Sequence, residues 1–306
     1  MSTQTFELLI LGSSAATPTS TRNPTAQLLN IAERFFLIDC GEGTQMQMRK
    51  YKARFQSVNH IFISHLHGDH FYGLPGFLAS MHLLGRKNEL TIYGPKELEE
   101  IITMLHKCSD TYLNYPLKFV TTQTSVKQLL FEDDKVEVYS IPLKHRIATT
   151  GYLFKEKPLS RNIDKYKLEK LNVSFAEIHK LKQGLDASDE HGNIIKNEEL
   201  TMDPAKQRSY AFCSDTKFFE ELAKDIKDVD LLYHESTFLE DKKDRAKETF
   251  HSTARQAAEM ATLANAQKLL LGHFSARYGN LDDFLIEAKP VFANTELAIE
   301  GHTFSL

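Results

Sequence analysis

The stretch Ser64 to His70, SHLHGDH, places four side chains able to ligate a metal, His65, His67, Asp69 and His70, within six residues. Imidazole nitrogen together with carboxylate oxygen suits zinc and neighbouring divalent ions, and a loop turning at Gly68 can point alternate side chains at two different centres. A His-rich surface turn or an N-capping cluster is the plainer alternative. It accounts poorly for the residues, because histidines this close repel on protonation and gain nothing from packing.

The element that must position this loop precedes it. VNHIFI, Val58 to Ile63, is apolar and β-branched and reads as a buried strand, so the ligands fall where that strand ends. The placement recurs: Lys135 to Ile141 leads to PLKHR with His145, Ser209 to Cys213 to CSDT with Asp215, Val229 to Tyr233 to HEST with His234 and Glu235, and Gln267 to Leu271 to Gly272-His273. Strand ends can converge at one edge of a folded sheet, and the total then matches two metal centres sharing a ligand. Taken singly, Asp215 could be only an N-cap for a helix starting near Lys217. His82 and His106 lie inside helical stretches and read as packing or surface residues.

The rest of the chain supplies the scaffold. Phe6 to Leu11, Ala26 to Ile31 and Arg34 to Asp39 predict an opening antiparallel sheet. Between the first two lies TPTSTRNPT, whose Arg22 and Asn23 are either solvated or reach a phosphate. CGEGTQMQMRK allows a sharp strand-to-helix turn, which serves tight packing or phosphate binding. Helices are expected over GLPGFLASMHLLGR, Pro95 to His106, the stretch capped by Ser252 or Thr253 through Ala264, and Asp282 to Ala293. Further strands are expected at Glu89 to Tyr93, Leu117 to Thr121, Tyr152 to Phe154 and, closing the chain, Glu296 to Ile299.

Periodicity fades from Lys155 to Arg208. The first half is basic: Lys155, Lys157, Arg161, Lys165, Lys167, Lys170, Lys180 and Lys182 oppose Glu156, Asp164, Glu169 and Glu177, a net of +4. Gln183 to Asp203 sets Lys196 against Asp186, Asp189, Glu190, Glu198, Glu199 and Asp203, a net of −5. A charge run is usually a solvated face, yet an insertion of this length is uncommon without a task, and a basic arm suits a polyanion.

Composition sets the class. The 306 residues, 42% hydrophobic and 25% charged, describe an ordinary globular protein with a large core. A net charge of −4 leaves any affinity for nucleic acid to a local basic patch. Cys40, Cys108 and Cys213 fit neither a disulfide framework nor a Cys-based zinc finger, which points to a reducing compartment. The start, MSTQTFELLILG, has no basic region before its apolar run, and no stretch approaches about 18 consecutive apolar residues. We therefore expect no membrane association and a cytoplasmic location.

On its motifs the chain resembles the ribonuclease Z family, the short form of the transfer-RNA 3′ processing endonuclease in the metallo-β-lactamase superfamily. The match runs through LGSSAATPTSTRNPT, DCGEGTQMQM, IFISHLHGDHFYGLPGFL, PLKHR, GYLF, CSDT, HEST, HSTA and LGHFSARY. SHLHGDH alone marks only the superfamily; GEGTQ with HEST and HSTA points to the RNA enzyme. The resemblance implies an α/β metallo-β-lactamase fold, an αβ/βα four-layer sandwich forming one domain over 1–306 with a flexible tRNA-binding arm inserted at 155–208.

It further implies two zinc ions, one held by His65, His67 and His145, the other by Asp69, His70 and His273, with Asp215 bridging. Asp69 would also accept a proton from the attacking water, and Glu235 and His251 match the pair proposed to protonate the leaving oxygen. The implied reaction is hydrolysis of precursor tRNA after the discriminator base, leaving a 3′-hydroxyl on the tRNA and a 5′-phosphate on the trailer, by a homodimer. Two departures stand out: SFAEIHKLKQG lacks the Gly-Pro pair usual in the arm, and CSDT replaces a more usual glycine before the bridging aspartate. The competing enzymatic reading is a phosphodiesterase or arylsulfatase of the same fold acting on small esters, which would not need the arm. A non-catalytic RNA-binding protein on this fold is the third.

Overall fold

The computed structural model describes residues 4–169, 171 and 173–306. Lys170, counted above in the basic half of the insertion, lies outside the described residues. The chain separates into two compact units, Gln4–Lys155 with Arg208–Leu306, and a smaller one containing Glu156–Gln207.

The larger unit is built on two seven-stranded sheets. The first runs Thr303–Ser305, Phe6–Gly12, Ala26–Ile31, Arg34–Cys40, Val58–Phe62, Leu90–Gly94, Leu117–Thr121. The second runs Thr295–Leu297, Lys268–Gly272, Leu231–Glu235, Ser209–Cys213, Thr150–Glu156, Val136–Pro142, Gln128–Glu132. Phe36, Phe62 and Tyr93 of one sheet and Tyr152, Phe154, Phe212 and Tyr233 of the other fill the space between them. Their rings interlock across it, with Phe36 and Phe154 centroids 5.4 Å apart and Phe62 and Tyr152 5.1 Å apart.

Helices cover both outer faces. Leu74–Leu83 and Glu97–Cys108 bury Leu74, Phe77, Leu78, Met81, Leu98 and Ile102 on the first sheet. On the second, Ala254–Leu263 presents Ala254, Ala257, Ala258 and Ala261, small side chains that let its backbone approach the strands. That helix starts where its sequence dictates: Thr253 accepts from the Gln256 amide while the Gln256 side chain accepts from Thr253 N–H, a reciprocal capping box. The result is the four-layer α/β sandwich expected. Central strands such as Lys268–Gly272 are buried on both faces beyond their first residue, which is why LLLG is continuously apolar rather than alternating.

Two local expectations are corrected and one strand is added. Glu296 to Ile299 does not close the chain, because Thr303–Ser305 follows it and pairs with Phe6–Gly12. Gln128–Glu132, an edge strand of half-exposed residues, was not expected. No helix starts near Lys217; the first is the short Leu222–Asp225, so Asp215 is not an N-cap.

The smaller unit has a core of its own, Leu181, Ala187, Ile195 and Leu200, under the helix Phe175–Lys182. Much of its charge is paired internally: Lys180 with Glu177 (2.6 Å), Lys196 with Asp186 (2.8 Å), and Arg161 with Asp203. Tyr166 and Phe175 stand 83% and 92% exposed.

Candidate metal centre

Strand direction assembles the site. Ser209–Cys213, Leu231–Glu235 and Lys268–Gly272 are mutually parallel, registered Cys213 to His234 and Glu235 to Gly272, so Asp215, Glu235 and His273 emerge at one edge. Arg34–Cys40 and Val58–Phe62 are likewise parallel in the other sheet. The two edges are tied where Thr150 N–H donates to Ser64 O (3.0 Å) and Tyr152 O–H to Ile63 O (2.6 Å). His65 and His67 follow Val58–Phe62 directly, Asp69 and His70 lie in the single turn Gly68–Phe71, and His145 follows Val136–Pro142.

All seven expected ligands come together in two groups. His65, His67, His145 and Asp215 form one, and Asp69, His70 and His273 the other. In the first, His65 Nε2 and His145 Nε2 lie 3.0 and 3.3 Å from His67 Nδ1 and 3.6 and 3.7 Å from Asp215 Oδ2. In the second, Asp69 Oδ2 is 3.3 Å from both His70 Nε2 and His273 Nε2. Asp215 Oδ1 faces this second group, 3.3 Å from His70 and 3.1 Å from His273, while Oδ2 faces the first. Tetrahedral ligands at metal bonds of about 2.0–2.1 Å sit about 3.4 Å apart, so both groups fit a zinc-sized divalent ion.

The protonation states agree with that fit. Burial lowers the pKa of His65, His67 and His145, leaving neutral imidazoles with free lone pairs. Burial would raise Asp69 and Asp215, but the surrounding histidines hold both well below the usual carboxylate range. His70 is the exception. Burial would lower it, yet Asp69, Asp215 and Asp39 together raise it, which marks a local excess of negative charge that a cation would balance.

Around the donors lies an orienting shell, only part of which was expected. Asp39, fully buried with φ 54°, accepts His70 Nδ1–H (2.7 Å), Ser64 N–H (2.7 Å) and Ser64 O–H (2.9 Å). Ser64 Oγ is also 3.0 Å from His65 Nδ1, Thr237 Oγ1 is 2.9 Å from His273 Nδ1, and His145 Nδ1–H donates to Phe250 O (3.0 Å). Four of the five histidines are thus fixed through one ring nitrogen and aim the other inward, the arrangement that sets ligand tautomer and direction. Sequence reasoning missed Asp39, Ser64 and Thr237 as site residues; Asp39 at a strand end before Gly41 was the one available signal.

Glu235 and His251 stand beside this cluster. Glu235 is buried, accepts Thr216 N–H (3.0 Å) and Thr237 N–H (3.0 Å), and places Oε1 2.8 Å from His251 Nδ1. Burial alone would lower His251, but the Glu235 carboxylate overrides it and raises its pKa to about 9. His251 Nδ1 lies 3.9 Å from Asp215 Oδ2. A cavity of about 590 Å³ opens onto His67, Asp69, Asp215, His251 and His273.

Other expected residues take structural roles. Arg22 donates to Ser275 O (3.3 Å) and Tyr278 O (2.9 Å), and Asn23 Nδ2 to Glu300 (2.8 Å), so these groups serve the fold. The GEG turn serves tight packing, since a Cβ on Gly41 would meet Asp69 O at 2.5 Å. His234 is buried with Nδ1 2.7 Å from Glu235 O, outside both donor groups. His82 Nδ1 accepts Asn114 N–H (3.0 Å), and burial lowers the pKa of His106.

Comparison with known proteins gives this geometry its family. Residues 6–152 match a model described as anti-Pycsar protein Apyc1, and residues 172–274 one described as a β-lactamase superfamily domain. A ribonuclease Z of Cytophaga hutchinsonii is 50% identical over 300 residues, covering 98% of this chain and 96% of the relative. One of Parabacteroides distasonis is 43% identical, covering 98% and 99%. Among solved structures, human tRNase Z, short form, superposes with TM-score 0.70 at 27% identity over 98% of each chain. The metallo-β-lactamase fold protein YhfI of Bacillus subtilis, at 17% identity and TM-score 0.71, shares the fold. The chain is a metallo-β-lactamase-fold enzyme and belongs to the ribonuclease Z family.

Proposed function

We propose that the protein is a zinc-dependent endoribonuclease that cleaves precursor tRNA 3′ of the discriminator base, leaving a tRNA 3′-hydroxyl and a 5′-phosphate on the trailer. The observation that carries this is the placement of the Glu235–His251 pair beside seven donors split into two groups around Asp215. His65, His67 and His145 would hold one ion, Asp69, His70 and His273 the other, with Asp215 between them. Such a pair supplies Lewis acidity that makes water a competent nucleophile near neutral pH and offsets charge developing on the phosphoryl oxygens.

The chain's own groups handle the protons. Asp69, held ionised, stands at the cavity wall to accept a proton from the attacking water. His251 engages Glu235 through Nδ1, and its Nε2 carries the proton destined for the ribose 3′ oxygen that leaves. Glu235 keeps the imidazole charged and oriented. Breaking a phosphodiester to an alkoxide leaving group needs such an acid; a small activated ester does not.

The unit containing Glu156–Gln207 is proposed as the arm that grips tRNA away from the cut. Lys165 and Lys182, which have no carboxylate partner among the described residues, and the exposed rings of Tyr166 and Phe175 support that use. The proposed assembly is a homodimer acting in the cytoplasm. No helix among the described residues is long and apolar enough to cross a membrane.

Assaying the purified protein on precursor tRNA and on bis(p-nitrophenyl) phosphate, with and without chelator, tests the proposal. Chelator-sensitive cleavage of the tRNA at low concentration supports it. Hydrolysis of the small ester alone would favour the small-ester reading, and tRNA binding without hydrolysis the non-catalytic one.

A further inference from the structure

We propose that a second cavity, adjoining the catalytic one at His251, binds the nucleotide on the tRNA side of the cut, so that the substrate strand passes His251 with its trailer in the first cavity. This rests on the nuclease reading above. The second cavity, about 640 Å³, is lined by Lys144, Lys217, Lys247, Phe219, Phe250 and His251 among others, and shares only His251 with the first.

Four lysines in its wall, Lys243 with the three just named, outnumber two carboxylates, Glu220 and Glu221, so the cavity is basic on balance. Lys144 is paired with Glu221 (3.3 Å), and Lys243 at the same cavity with Glu240 (2.6 Å). Lys217 and Lys247 have no carboxylate partner among the described residues; the Lys217 ammonium lies 5.3 Å from the Phe250 ring centroid instead. Unpaired ammonium groups beside aromatic faces neutralise phosphate and stack a base.

Phe250 links this wall to the chemistry. Its carbonyl accepts His145 Nδ1–H (3.0 Å), and its backbone sits at φ 60°, a left-handed helix-end position that glycine takes without strain and a phenylalanine does not.

The direction of the strand follows from proton bookkeeping. Hydrolysis breaks the bond between phosphorus and the ribose 3′ oxygen; the oxygen takes a proton and leaves with the tRNA, and the phosphate stays with the trailer. The acid must lie within about 3 Å of that oxygen, so the discriminator ribose abuts His251. The phosphate and trailer occupy the side carrying Asp69 and Asp215, which leaves the lysine and phenylalanine cavity to the tRNA end.

The test is product inhibition of Lys217→Gln/Lys247→Gln, with metal content and thermal unfolding confirming the fold. We expect the inhibition constant of mature tRNA ending at the discriminator 3′-hydroxyl to rise roughly five- to tenfold, and its salt slope to fall by about 1.5, the share of two phosphate contacts. The constant for a 5′-phosphorylated trailer oligonucleotide should stay within about twofold. A rise confined to the trailer would reverse the direction and overturn the assignment, and no change in either would remove the cavity from the binding path. A wild-type protein that does not cleave precursor tRNA fails the nuclease reading first, and this inference with it.

Discussion

Replacing His251 should separate two substrates by their leaving groups. A ribose 3′ oxygen is a strongly basic leaving group, so losing a positioned acid should slow precursor tRNA cleavage roughly 10²- to 10⁴-fold in His251→Ala. A nitrophenolate leaves without a proton, and bis(p-nitrophenyl) phosphate turnover should fall far less. Glu235→Gln gives the finer test, because its size follows from the geometry. Burial alone would lower His251, and the Glu235 carboxylate 2.8 Å away is what raises it to about 9 from an ordinary 6.5. Without that carboxylate the protonated fraction at pH 7.5 falls from about 97%, and precursor tRNA cleavage should slow there by roughly tenfold for each unit the pKa drops below 7.5. The defect should grow as pH rises, because wild type keeps the His251 proton to higher pH than the variant does. Bound cations beside Asp215 move this curve to lower pH without changing its order. The raised His251 contributes its stabilisation fully just below pH 6.5 and progressively less as pH rises through about 9, while acid strong enough to protonate Glu235 removes it from the other side. Equal rate losses on both substrates in His251→Ala, or a Glu235→Gln defect that does not change with pH, would refute the acid assignment.

Three further outcomes are expected. Asp215→Ala, by removing the carboxylate that faces both donor groups, should lose metal and activity together, and elemental analysis showing full occupancy would remove Asp215 from its shared position. Replacing 156–207 by a short Gly/Ser linker should raise KM for precursor tRNA roughly tenfold or more and flatten its salt dependence, with little change on the small diester; unchanged tRNA affinity across a salt series would contradict the arm's role. His60 packs against Phe131 (4.3 Å) and Phe36 (5.7 Å), and burial lowers its pKa to about 4. A lowered histidine stabilises above pH 6.5 and loses that contribution as pH falls through 4, so acid unfolding should cost wild type up to about 3 kcal/mol that His60→Phe does not lose. Coincident acid-unfolding curves would show that His60 is not the group responsible.

Much of this was legible in the sequence because the chemistry is concentrated where strands stop. The apolar run LLLG reports a strand buried on both faces, VNHIF one buried at Val58, Ile61 and Phe62, and a histidine soon after each is a local signal. Asp39 escaped for the opposite reason: it reads as an ordinary strand end, and its role exists only through Ser64 and His70, 25 and 31 residues further on. Thr237 was equally silent, since a hydroxyl that steers His273 and Glu235 looks like any surface threonine. Arg22 and Asn23 looked available to a phosphate because their partners, Ser275, Tyr278 and Glu300, lie more than 250 residues away. The edge strands Gln128–Glu132 and Thr303–Ser305 bury too little of one face to show a clear alternation.

The central claim is best met by sequencing both new ends after a single-turnover cut of precursor tRNA with metal present. We expect one cut, after the discriminator base, with a 3′-hydroxyl on the tRNA and a 5′-phosphate on the trailer, abolished by chelator and restored by zinc. A cut elsewhere, a 2′,3′-cyclic phosphate, or cleavage that survives complete removal of metal would contradict it.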